Sequence, residues 1–169
     1  MGFEKTATRL WKHLSPDERR AAATHFWEQP DAESAATALA AIVKARRLRP
    51  QVARSLPVEE RAHALSTILE PGETLAASLL VALHLSERRP LLAAFLDAIG
   101  LRHEDGVLAD EEAETEAQAP LGEEPAAKAW DTLLEKFPEG QVRTYLNTLW
   151  LQDPDRWQVL GSLAEGRLG

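Results

Sequence analysis

The chain has 169 residues, 44% of them hydrophobic and 27% charged, with 19 Lys/Arg against 27 Asp/Glu and no cysteine. That length suits one domain, or one with an appendage, burying about 70% of its unfolded surface. Disulfides and thiolate metal sites are excluded, and a net charge of -8 argues against a nucleic-acid binder built on overall positive charge.

In chain order, "MGFEKTATRLWKHL" lacks the long apolar core of a secretion signal and reads as a helix preceding the first helix pair. Ser15, Pro16 and Glu18 form a capping-box pattern with proline at the first helical position, which predicts a helix from Pro16. Pro30 disfavours helical geometry before it, so that helix ends by Gln29. Asp31 caps the next helix, which carries Ala35, Leu39, Ile42 and Val43 on one face and ends in Lys44, Arg46 and Arg47. "RPQVARSLP", 49–57, reads as a short helix. Pro57 then starts a helix with a Val58, Ala62, Leu65, Leu69 stripe that Pro71-Gly72 breaks. The following helix is apolar nearly all round from Leu75 to Leu85, so it is expected to be the most buried element. "RPLLAAFLDAIG", 89–100, is another short helix.

Charge then changes character. Residues 1–100 hold 13 Lys/Arg and 12 Asp/Glu, whereas 101–169 hold 6 and 15. The stretch 104–125 has no basic and no aromatic residue, and 101–124 is expected to be a flexible acidic linker, too poor in apolar mass to offset its ordering entropy. Beyond it, "PAAKAWDTLLEKF", "PEGQVRTYLNTLWLQ" and "DPDRWQVLGSLAEG" predict a C-terminal helical unit over 125–169, expected to pack on the first region. No sustained two-residue alternation argues for a sheet, so the predicted class is all-α. The longest apolar run, "LAASLLVALHL", is far shorter than the roughly 20 residues that cross a bilayer. The expectation is a soluble, cytoplasmic protein with no membrane partner.

Residues 16–47 and 57–88 align without a gap at an offset of 41, with 11 identities in 32 positions, among them Pro16/Pro57, Glu18/Glu59, Arg20/Arg61, Pro30/Pro71 and Leu39/Leu80. Residues 1–100 therefore read as a repeat region with two copies. The period falls in the HEAT/armadillo range, and the turns at "QPDAES" and "QDPDRW" resemble the Asp-Pro-x turn of HEAT repeats. This resemblance implies an α-α solenoid of stacked helix pairs that bury their faces on one another. The chain lacks a consistent Val-Arg after the turn, and an irregular helical bundle is the alternative.

Candidate chemistry is sparse. The histidines are His13, His25, His63, His84 and His103. Glu59 and Glu60 lie one helical turn from His63, but a di-iron bundle needs two Glu-x-x-His pairs and two more carboxylates. No phosphate loop, G-x-S-x-G or H-E-x-x-H is present, so no metal, cofactor or catalytic residue is assigned. Of five tryptophans, Trp27, Trp130 and Trp150 read as core, while Trp11 and Trp157 flank charged residues and stay open. The main lead is a basic edge of Lys44, Arg46, Arg47, Arg49 and Arg54, with Arg88 and Arg89 at the corresponding place in the second copy. In a stack these helix ends would lie about 10 Å apart. The functional expectation is a scaffold or adaptor binding another, acidic protein through that edge. The alternatives are a regulatory domain contacting nucleic acid through Lys44–Arg54 and, lowest, a helical enzyme or metal binder using Glu59, Glu60 and His63.

Overall fold

Capping chemistry sets the helix starts in this chain. In a computed structural model, which describes residues 2–168, the Ser15 hydroxyl accepts from the Glu18 N–H at 3.1 Å and the Glu18 carboxylate accepts from the Ser15 N–H at 3.0 Å. That capping box opens α2 (Pro16–Phe26). Asp31 caps α3 (Ala32–Arg46) by accepting from the Ser34 N–H at 2.8 Å. The described residues form eleven helices and one two-stranded hairpin. The class is all-α. They divide into two compact units: Thr6–Glu87, and residues 2–5 together with 88–168.

The first unit contains α1 (Ala7–His13), α2, α3, α4 (Pro50–Ser55), α5 (Val58–Ser66) and α6 (Glu73–Glu87). α3 and α6 each have 15 residues, and both of their ends are displaced by 41 (32 to 73, 46 to 87). α5 is shorter than α2, nine residues against eleven. Its counterpart of Ser15 is Leu56, which has no side-chain oxygen to cap with. The most apolar helix is central, as its sequence predicts. α6 buries Leu75, Leu79, Leu80 and Leu83 against α1, α2 and α3, each side chain contributing about 1.5–3 kcal/mol. α2 packs chiefly on α6 and α5.

Two polar contacts tie α1 into this unit. The Glu73 carboxylate accepts from the N–H groups of Ala7 and Thr8, both at 2.9 Å, satisfying donors that a helix start leaves orphaned. The Trp11 indole, fully buried, donates to the Ile68 carbonyl at 2.8 Å.

The second unit contains α7 (Arg89–Ala98), β1 (His103–Glu104), β2 (Val107–Leu108), α8 (Glu111–Ala117), α9 (Glu123–Lys136), α10 (Glu139–Gln152) and α11 (Gln158–Leu168). α9 packs against α7, α10 and α11. Residues 2–5 complete it. Phe3 stacks on Trp130 with ring centroids 5.8 Å apart and planes at 6°. The fully buried Asn147 accepts from the Glu4 N–H at 2.8 Å and donates to the Glu4 carbonyl at 3.1 Å.

The stretch expected as a linker carries local structure. Asp105 and Gly106, both at positive φ, turn β1 back onto β2, as hairpin turns with paired left-handed residues require. His103 accepts from the Gly106 N–H at 3.2 Å through Nδ1, so Nε2 carries the proton and donates to Asp97 on α7 at 2.7 Å. In α8, Asp110 caps the start and Ala113 and Ala117 are buried.

The tryptophans sort differently from expectation. Trp11, Trp27, Trp130 and Trp157 are buried, while Trp150 is half-buried with Lys5 over its ring at 5.1 Å.

Candidate functional site

The basic residues of the predicted edge are placed by two helix ends. Lys44 and Arg46 stand in the last turn of α3, where the helix dipole favours cations. Arg47 closes that helix in the left-handed conformation, φ 52° and ψ 41°, with its N–H and that of Leu48 both donating to the Val43 carbonyl. Glycine adopts this conformation without penalty, whereas a side chain at Cβ costs about 1–2 kcal/mol. Arg49 is the N-cap of α4, with Pro50 at its first position, and Arg54 lies in its last turn. All five side chains, Lys44, Arg46, Arg47, Arg49 and Arg54, are exposed. None forms a hydrogen bond or ion pair with another described residue through its side chain. Val52, on the same short helix, is 44% exposed.

Arg88 and Arg89 belong to the other unit. Arg88 is buried, 6% exposed, at the N-cap of α7. Arg89, half-buried, lies 3.7 Å from the Asp105 carboxylate and donates to the Asp105 carbonyl at 3.4 Å.

Arg46 also lines a cleft of about 550 Å³ that the sequence does not announce. Leu48, Leu56 and Ala64 form its apolar part, and Arg20, Glu59, Glu60 and His63 its polar rim. Arg20 donates to His63 Nδ1 at 2.9 Å, a pairing across 43 residues of sequence that makes Nδ1 the acceptor and places the imidazole proton on Nε2. At the offset of 41, Glu59 aligns with Glu18. Its counterpart Glu18 is held by Ser15, but Leu56 stands where the serine would be, so the Glu59 carboxylate has no capping partner and faces the cleft. The counterpart of Arg20, Arg61, turns elsewhere: it donates to the Leu56 carbonyl at 2.9 Å and lies over the Trp27 ring. Among the described residues no group of three or more His, Asp or Glu is placed to hold a metal ion.

Other carboxylates are engaged in holding the fold. Burial opposes ionisation of Glu73, but the N–H groups of Thr8 and Ala7 outweigh it and keep its carboxyl below the usual range. The Ser34 backbone N–H does the same for Asp31. In the second unit Arg102 binds Asp110 and Glu112, each at 3.2 Å, and Arg167 binds Asp131. No described helix is long and apolar enough to cross a membrane. Compared with protein-family models, with curated proteins and with solved structures, the chain matches none.

Proposed function

We propose that the chain is a helical-repeat scaffold, HEAT-like in its first unit, that binds an acidic segment of another protein along residues 44–54. The carrying observation is five exposed cations within eleven residues, none with a side-chain partner among the described residues. Like charges so close repel one another at low salt, and an acidic ligand relieves that repulsion as it binds. The left-handed Arg47 supports the same reading, because local strain is retained where glycine would remove it. Exposed Val52 adds apolar contact, which favours a ligand in which acids alternate with large apolar residues over a bare polyanion. A net charge of -8 keeps duplex nucleic acid in second place. The cleft beside Arg46 is the natural continuation of the binding surface.

The test uses two fluorescent probes of equal charge, a Glu/Leu peptide and a short DNA duplex, titrated with the full chain. The peptide is expected to bind more tightly. Substituting Arg46, Arg47 and Arg49 with glutamate should weaken it by at least about tenfold, the usual scale for reversing several charges at an interface. Equal binding by this variant, or a duplex that binds more tightly than the peptide, overturns the proposal.

A further inference from the structure

The second unit holds an arginine that the scaffold reading does not use. Asp153, Pro154 and Asp155 make a turn between α10 and α11, in which the Asp153 carboxylate accepts from the Arg156 N–H at 3.1 Å. This turn lays the Arg156 side chain over the buried Trp157 ring, with the guanidinium carbon 4.3 Å from the ring centroid. The guanidinium is thus held against the ring by a cation–π contact.

What the guanidinium lacks is an anion in direct contact. Its Nε is shut off from solvent and has no hydrogen-bond partner, and its side chain forms no ion pair with any described residue. Arg102 and Arg167, in the same unit, both have carboxylate partners. A partly desolvated cation with no anion in contact is unfavourable, and burial accordingly pulls the Arg156 pKa below its ordinary value, although the Asp153 carboxylate opposes the shift.

Arg156 lines a cavity of about 330 Å³, near the small end of the range for small-molecule pockets. Leu121, Val159 and Leu163 give it an apolar wall, and the exposed carboxylates of Glu123 and Asp155 line it as well. Neither carboxylate forms an ion pair with Arg156. One cavity therefore presents a fork of N–H donors, two free carboxylates and an apolar surface, with the opposite charges held apart.

We propose that this cavity binds a free α-amino acid with an apolar side chain. The α-carboxylate meets the Arg156 fork, the α-ammonium meets Glu123 or Asp155, and the side chain lies on Leu121, Val159 and Leu163. A simple carboxylate would satisfy the guanidinium but would face two like charges. An amine would satisfy those and leave Arg156 without an anion. The zwitterion satisfies both.

Calorimetric titration of the full chain with L-leucine, 4-methylpentanoate and L-leucinamide tests this without altering the protein. Leucine is expected to bind, and each truncated analogue to bind at least about tenfold more weakly, since each forfeits one charge-assisted contact. Arg156→Gln should abolish leucine binding, and Glu123→Gln, at an exposed position, should weaken it severalfold while leaving the thermal unfolding curve in place. No binding of leucine, valine, methionine or phenylalanine overturns the proposal. So does 4-methylpentanoate binding as tightly as leucine, or leucine binding that survives both substitutions. The residues are disjoint from 44–54, so either result leaves the acidic-ligand proposal standing on its own test.

Discussion

The two units use the same polar residue types differently. In the second, three arginines meet acids, Arg89 with Asp105, Arg102 with Asp110 and Glu112, Arg167 with Asp131, and Arg156 on the cavity wall meets none. Asn147 meanwhile joins the distant residue Glu4 to α10 through two hydrogen bonds. In the first unit the polar groups that hold structure are mainly caps, at Ser15, Asp31 and Glu73, and five cations have no side-chain partner among the described residues. The difference separates charge that closes a fold from charge left available to a ligand. Substitutions in the two units should therefore differ in what they damage.

The largest effect is expected at Asn147. Replacing it with alanine removes both hydrogen bonds to the Glu4 backbone in a part-buried setting and opens a small cavity. A loss of about 2–4 kcal/mol follows from two unmade hydrogen bonds and the lost packing. Hydrogen exchange read residue by residue should place the loss of protection in 2–5 and 88–168, the unit that Asn147 closes. Uniform loss through Thr6–Glu87 as well would mean that the two units unfold together and would weaken the contrast drawn between them.

A smaller effect is expected at Glu73, where the first unit relies on a carboxylate. Its pKa is depressed by the N–H groups of Ala7 and Thr8, although burial opposes the shift. A depressed carboxyl contributes stability that is fully present above the unfolded-state value, near 4.5, and is lost as pH falls through the folded-state value. Glu73→Gln should cost about 1 kcal/mol at neutral pH, the typical worth of a helix cap. The gap between variant and parent in urea unfolding should narrow below pH ~4. A gap that stays constant into acid would remove the charge from this account and leave hydrogen bonding alone.

What the sequence made legible was local. Ser15 with Glu18, and Asp31 with Ser34, are readable because the partners lie three residues apart, and the offset of 41 recurs in the ends of α3 and α6. The hairpin at 103–108 carried its own signal, Asp105-Gly106, but the acidic composition around it pointed to a linker. Gly106 is needed there twice over: φ is 86°, and a Cβ would fall 2.8 Å from the Leu92 Cβ. Trp150 sits in a leucine stripe with Leu146, yet its ring lies near the surface beside Lys5 and Gly161 rather than inside. Its neighbours come from the far ends of the chain, which no local pattern reveals. The candidate site divides along the same line. The cations of 44–54 are visible as letters, but their lack of partners, the burial of Arg88 and the Arg20–His63 contact depend on tertiary placement.

The smallest stability effect should be the most informative about function. Arg47 closes α3 at φ 52°, where glycine would relieve strain, so Arg47→Gly should leave the first unit as stable as before or more stable by up to about 1 kcal/mol. The same change removes one of the five unpartnered cations, so binding of the Glu/Leu peptide should fall severalfold. Stability and binding would then move in opposite directions at one residue, as expected where a side chain is kept for a ligand and not for the fold. If stability falls instead, the Arg47 side chain is holding the turn, and the charge around it has a structural reason that the fold alone accounts for. If binding is unchanged while Arg46 and Arg49 still matter, the ligand follows α4 and the cleft, not the end of α3.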